Sequence, residues 1–209
     1  MKPFSIARSL FFAQKLIKTV GIFLLLYLTC NWISSQREDL HEFYFNWELT
    51  LPFYPWMIFI YISAYLYPIV QFLYLEEKQI ASTGFATEVC AYIASIIFIL
   101  FPAKLGFART VPTGYEKSFE RLFTIDLPHN LLPSLHVAFA TLWTLVLFEV
   151  LPKWGRWVIG IHCFLVWVSV ILVRQHHFLD IVFGFILGLV GYFWAYKRAM
   201  EDNFTKVIS

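Results

Sequence analysis

Six apolar runs divide this chain, at about 17–34, 54–75, 83–102, 134–151, 157–173 and 180–196. Each is close to the ~20 residues that an α-helix needs to cross the ~30 Å hydrocarbon core of a bilayer. No water reaches backbone N–H and C=O groups at that depth, so a run of this length is satisfied by bonding within itself as a helix. The expected fold is all-α: a polytopic membrane protein, a six-transmembrane-helix bundle forming a single membrane domain over 1–209. Charge agrees, since 14% of residues are charged and 59% are hydrophobic, whereas a soluble domain carries about 25% charged residues. A net charge of +2 without a dense Lys/Arg block excludes a nucleic-acid partner. Cys30, Cys90 and Cys163 lie inside apolar runs with no C-x-x-C spacing and read as small buried hydrophobes.

The flanks of the runs set an orientation, because cytoplasmic loops carry an excess of Lys and Arg. With the N-terminus in the cytoplasm, that side holds ten basic residues: Lys2, Arg8, Lys15, Lys18, Lys78, Lys153, Arg156, Lys197, Arg198 and Lys206. The opposite side holds six: Arg37, Lys104, Arg109, Lys117, Arg121 and Arg174. Both termini are then cytoplasmic, and the two long connections, roughly 35–53 and 103–133, face the periplasmic, extracellular or lumenal side. No small-residue cleavage site follows the first run, so it is expected to remain as a span, preceded by an amphipathic surface helix over 2–15. Pro55 and Pro68 predict a kinked second span. The acidic, aromatic stretch EDLHEFYFNWE reads as a surface helix near a site entrance, and a short helix is expected near Glu116 to Phe123.

Between the fifth and sixth runs stands a polar knot, Arg174-Gln175-His176-His177-Phe178-Leu179-Asp180, and Pro133-Ser134-Leu135-His136 opens the fourth run on the same side. A charged group near the bilayer centre costs roughly 2.5–3.5 kcal/mol on insertion scales, so ionisable residues at span ends are functional candidates by default. If Asp180 begins a helix, His176 stands one turn above it and the carboxylate can hold the imidazole in one tautomer. Two histidines, an aspartate, a serine at a helix start and nearby cations suit phosphoryl transfer. Lys104, Arg109 and Arg174 can surround phosphate oxygens, and Ser134 can add its hydroxyl beside the free N–H groups of the helix it precedes. One imidazole can attack phosphorus and the other can protonate the leaving oxygen, with neither step requiring a metal or other cofactor.

Other chemistries use the same residue types. Zinc would need clustered ligands, and three nearby cations would repel it. A serine hydrolase using Ser134, His176 and Asp180 would want a G-x-S-x-G elbow, which the chain lacks. A transporter could use these groups as a proton or anion path.

The stretches FPAKLGFART, PSLH and RQHHFLDIVFG, in that order, resemble the three-part signature of the type-2 phosphatidic acid phosphatase superfamily over residues from about 80 to 195. That family includes lipid phosphate phosphatases, undecaprenyl diphosphate phosphatases and sphingolipid phosphotransferases. Its pattern is K-x6-R-P, then P-S-G-H, then S-R-x5-H-x3-D. The resemblance implies His176 as nucleophile, Asp180 as its orienting carboxylate, His136 as general acid, and Arg109 and Ser134 as phosphate ligands. The chain departs from the pattern. Only four residues separate Lys104 from Arg109, Thr110 replaces the proline, and Val170 stands where the third motif's arginine is usual. Arg174 is the candidate substitute. Leu135 replaces glycine, a variant similar to the inositol phosphorylceramide synthase branch.

The function expected is an integral membrane lipid phosphate phosphatase, metal-independent, working through a phosphohistidine at the outer or lumenal leaflet on a substrate drawn from the bilayer. A lipid phosphotransferase and an inactive lipid-binding or transport relative are the alternatives; no obligate protein partner is inferred. Of the other polar residues, His177 is read as a support beside the nucleophile, His162 as a packed bundle residue and Glu88 as paired or interfacial. His129, with Asp126 and Asn130, is a candidate for touching a headgroup.

Overall fold

The computed structural model describes residues 5–201; Lys2 and Lys206 of the orientation count lie outside them. Seven helices carry the architecture: α1 Ile6–Ser35, α2 Pro55–Tyr74, α3 Glu77–Leu100, α4 Glu116–Ile125, α5 Leu135–Val150, α6 Lys153–Leu172 and α7 Phe178–Glu201. Five of them, α1, α2, α3, α6 and α7, are long and apolar enough to cross a membrane. The sixth expected span, α5, has 16 residues, about 24 Å at 1.5 Å per residue. Pro133 and Pro152 bracket it, and it is the central helix, packed by α3, α6 and α7.

The N-terminal stretch does not form a separate surface helix. α1 runs unbroken from its Ser5 cap, whose hydroxyl accepts the Arg8 N–H at 3.2 Å. Arg8 is buried and donates to the carbonyls of Leu75, at 2.8 Å, and of Phe72. Those are orphan carbonyls at the end of α2, which a cation there satisfies. Farther along, Lys18 and Thr19 bond to buried Glu88 of α3 at 3.0 and 2.9 Å, so the acid is paired inside the bundle.

α2 is broken as its prolines require. Pro55 opens it in a 3-10 turn, and a second 3-10 turn, Ala64–Leu66, precedes Pro68. Proline lacks an N–H and its ring crowds the carbonyl four residues earlier, here that of Ala64. His162 is a packed residue of α6, bonded to Ser63 at 2.8 Å and Tyr67 at 3.3 Å.

α7 lies against α5 through glycines. A Cβ at Gly184 would stand 2.5 Å from the Ser134 carbonyl, and one at Gly188 would stand 2.7 Å from the Ala138 carbonyl. Small residues at these two positions let the two helix backbones approach closely, as membrane helices commonly do. The contact holds the start of α5, with PSLH, beside the start of α7.

The two long connections are packed rather than loose. The expected surface helix in the first is a short 3-10 turn, Asn46–Thr50, with Glu48 wholly buried. In the second, α4 buries Phe119 and exposes Lys117, Glu120 and Arg121.

Candidate active site

The polar knot is shaped by the end of α6 and the start of α7. The Val170 carbonyl accepts the N–H groups of Gln175 at 3.0 Å and His176 at 3.1 Å, folding the chain back after α6. Arg174 takes a left-handed φ of 58° there, a conformation that glycine adopts freely and other residues at a cost. His177 then caps α7, and Asp180 in its first turn accepts the His177 N–H at 2.8 Å. The same oxygen, Oδ2, meets Nδ1 of His176 at 3.2 Å. His176 therefore stands before the helix, not on its face, and reaches Asp180 through the capping geometry. With Nδ1 donating to the carboxylate, Nε2 keeps its lone pair for an electrophile. Both side chains are almost fully buried.

His136 is the second residue of α5. Its ring stacks on Tyr61 with centroids 4.0 Å apart, its Nε2 meets the Tyr65 hydroxyl at 3.0 Å, and its centroid is 6.2 Å from that of His176. The Ser134 N–H donates to the Asp180 carbonyl at 3.0 Å, joining PSLH to the knot, and its buried Oγ has no partner among the described residues.

The cations are disposed differently. Arg109 donates to the Asp126 carbonyl and, at 3.4 Å, to the Gln175 side chain, one residue from His176; its guanidinium covers Phe123 at 4.4 Å. Burial draws its pKa below the usual guanidinium value, while the Asp126 charge opposes the shift. Arg174 lies over Phe53 and Phe107 at 5.1 and 5.6 Å, and its buried Nε has no hydrogen-bond partner among the described residues. Among the described residues no hydrogen bond or ion pair joins Lys104 to the histidines; it forms an exposed ion pair with Glu42 at 2.8 Å. Val170 packs among Ile58, Tyr61 and Val137, so no cation enters from that position.

A residue that the sequence reading missed anchors the knot. Glu48, wholly buried, accepts from Nδ1 of His177 at 3.1 Å, from the Phe178 N–H at 2.8 Å and from the Phe45 N–H at 2.9 Å. Gly106 donates its N–H to Nε2 of His177 at 3.0 Å, which assigns the ring proton to Nδ1. Tyr44 and Phe107 sandwich the ring at 4.8 and 4.6 Å. His177 thus joins both long connections to the helix that carries Asp180. Burial lowers its pKa, with the Asp180 and Glu48 charges acting against that shift. Sequence could signal Glu48 only as an acid amid aromatics.

A cavity of about 460 Å³ lies between α1, α2, α4 and α5. Val20, Phe23, Leu24, Ile62 and Phe139 give it apolar walls, Lys117 and Arg121 stand on its α4 side, and His136, His176, Asp126 and Asn130 form its polar end. Burial raises the Asp126 carboxyl above the ordinary range, partly offset by a hydrogen bond from Tyr27 and by the charges of His176 and Arg109. His129 does not line the cavity: its carbonyl accepts the Ala103 N–H at 3.2 Å and its buried Nδ1 has no partner among the described residues. Among the described residues no group of three or more His, Cys, Asp or Glu side chains is placed to hold a metal ion.

The family model of the PAP2 superfamily matches residues 85–203. No curated protein and no solved structure matches the chain.

Proposed function

The chain belongs to the PAP2 superfamily, and from that premise we propose that it is an integral membrane lipid phosphate phosphatase acting through a phosphohistidine. The observation that carries the reading is the pair of histidines at the polar end of an apolar cavity, with His176 held on Asp180 at 3.2 Å and His136 facing the same space. In this reading the lipid chain occupies the apolar walls and the phosphate rests against Arg109, Arg174 and Ser134. Nε2 of His176 attacks phosphorus, Asp180 stabilises the imidazolium that develops, and His136 protonates the departing oxygen. Water then releases inorganic phosphate. The excess of basic residues on one side favours cytoplasmic termini and a site at the opposite leaflet.

A lipid phosphotransferase is the second reading, favoured by Leu135 and by a cavity roomy enough for an organic acceptor. One experiment tests both. Detergent-purified protein is given phosphatidate, isoprenyl diphosphate and sphingoid phosphates with excess chelator, beside His176→Ala. Chelator-resistant release that vanishes in the variant supports the phosphatase; transfer of a labelled headgroup only on adding a lipid alcohol moves the assignment to transferase. Neither activity from any substrate would defeat both.

A further inference from the structure

The polar end of the cavity contains groups with no use in forming a phosphoenzyme. Oδ1 of Asp126 accepts the Tyr27 hydroxyl, and among the described residues no donor reaches Oδ2. Asn130 is 2% exposed. Its Nδ2 donates to the Tyr27 carbonyl at 2.8 Å, which sets the orientation of the amide, and its Oδ1 has no partner among the described residues. The hydroxyl of buried Tyr61 is also without one. All three residues line the cavity beside His136 and His176.

A phosphate ester near neutral pH is negatively charged and rich in acceptors. A carboxylate repels it, and an amide oxygen has nothing to accept from it. Both oxygens are complementary to an O–H group. We propose that Asp126 and Asn130 form the site for the hydroxyl, of water or of an alcohol, that removes the phosphoryl group from His176, with Asp126 taking the hydroxyl proton.

The proposal rests on the phosphohistidine reading above and assigns the acceptor half of the reaction. The hydroxyl oxygen forms a bond to phosphorus as the bond from phosphorus to Nε2 of His176 breaks. The electron pair of that bond returns to the imidazole, and the hydroxyl proton passes to Oδ2 of Asp126, which later releases it to solvent. Tyr27 holds the carboxylate, and Asn130 orients the incoming O–H. Burial, which raises the Asp126 carboxyl, also makes its carboxylate a stronger base. His136 serves the first half by protonating the leaving oxygen, so each half-reaction has its own proton carrier.

The test separates the halves. Protein is mixed with phosphatidate labelled in its phosphate and quenched in alkali, where a phosphohistidine persists, and bound label is followed in time. Wild type should carry little label at steady state. Asp126→Asn keeps the acceptor for Tyr27; it should form the phosphoenzyme within about threefold of the wild-type rate and lose it about 10²–10³-fold more slowly. Label should then approach one per chain, and none should form with His176→Ala. Asp126→Ala with added formate supplies a second reading: a small carboxylate should restore breakdown, which a purely structural role would not allow. Parallel arms with water alone and with added glycerol or diacylglycerol identify the source of the hydroxyl by whether free phosphate or a new phosphate ester appears. Equal slowing of formation and breakdown in Asp126→Asn, or unchanged breakdown, would overturn the assignment. Wild type and Asp126→Asn that release phosphate without ever carrying label would overturn the phosphohistidine reading and this one with it.

Discussion

Replacing Glu48 should damage the protein far more than a loop position suggests. Its carboxylate accepts from Nδ1 of His177, from the Phe178 N–H and from the Phe45 N–H, all at 3.1 Å or less. Glu48→Ala leaves these donors without a partner in a site that water does not reach. A buried polar group left unpaired costs about 1–3 kcal/mol. The three share one neighbourhood and relax together, so a total of about 3–5 kcal/mol is expected, a large part of the ~5–15 kcal/mol that holds a typical fold. At about 2–4 °C per kcal/mol for a chain of this size, the midpoint in detergent should fall by roughly 10 °C. Glu48→Gln keeps one acceptor oxygen for His177 and Phe178 but not for Phe45, and should lose about a third as much. The assay is thermal unfolding followed by tryptophan fluorescence, with phosphate release measured on the same samples well below the midpoint. Turnover should fall more than affinity, because Glu48 supports the turn that aims His176 and touches no substrate. His177→Phe keeps the ring between Tyr44 and Phe107; combined with Glu48→Ala it should cost less than the two single changes added. An Ala variant that melts within about 2 °C of wild type and turns over within twofold would refute the reasoning, as would strict additivity.

The same histidine gives a pH dependence. Burial depresses its pKa below the unfolded value of about 6.5, so the neutral ring's contribution is present above that pH and is lost as pH falls through the folded-state value. Acid should therefore lower the melting midpoint of wild type more steeply than that of His177→Phe as pH falls below about 6.5; parallel curves would deny His177 this part. At Arg174, whose φ is 58°, glycine relieves about 1 kcal/mol of backbone strain while removing the guanidinium. Arg174→Gly should melt a few degrees higher than Arg174→Ala, and both should raise KM about tenfold if the guanidinium holds phosphate; equal KM to wild type would remove Arg174 from that role. A Cβ at Gly184 would meet the Ser134 carbonyl at 2.5 Å, so Gly184→Ala must part α7 from α5 by about 0.5–1 Å and should lower kcat on the order of 10²-fold. Gly21→Ala, where no described atom outside its chain neighbours and own helix backbone lies within 4 Å of the added carbon, is the control, and equal kcat in the two variants would show that the α5–α7 contact does not set the geometry.

What could be read from the sequence was local. The apolar runs located the helices to within a turn or two at most ends, Pro68 announced the break in α2, and the four-residue interval from His176 to Asp180 announced their contact. Each is a pattern whose cause lies within one turn of chain. Glu48 and Tyr27 escaped notice, each joined across a long interval to a residue that did not: Glu48 to His177 and Tyr27 to Asp126. The same holds for Arg8, whose bond to the Leu75 carbonyl goes with a continuous α1 where a surface helix was expected. Lys104 shows the converse, since its motif suggested phosphate while the chain gives it Glu42 as a near neighbour on the surface. Composition cannot distinguish a carboxylate that steadies a histidine from one that faces a cavity, because both are single acids with apolar neighbours in the chain. Their partners separate them. Glu48 is saturated by three donors and belongs to the scaffold, whereas Asp126 lines the cavity with His176 and has one hydrogen-bond donor among the described residues, Tyr27, which is why the acceptor role is proposed for it.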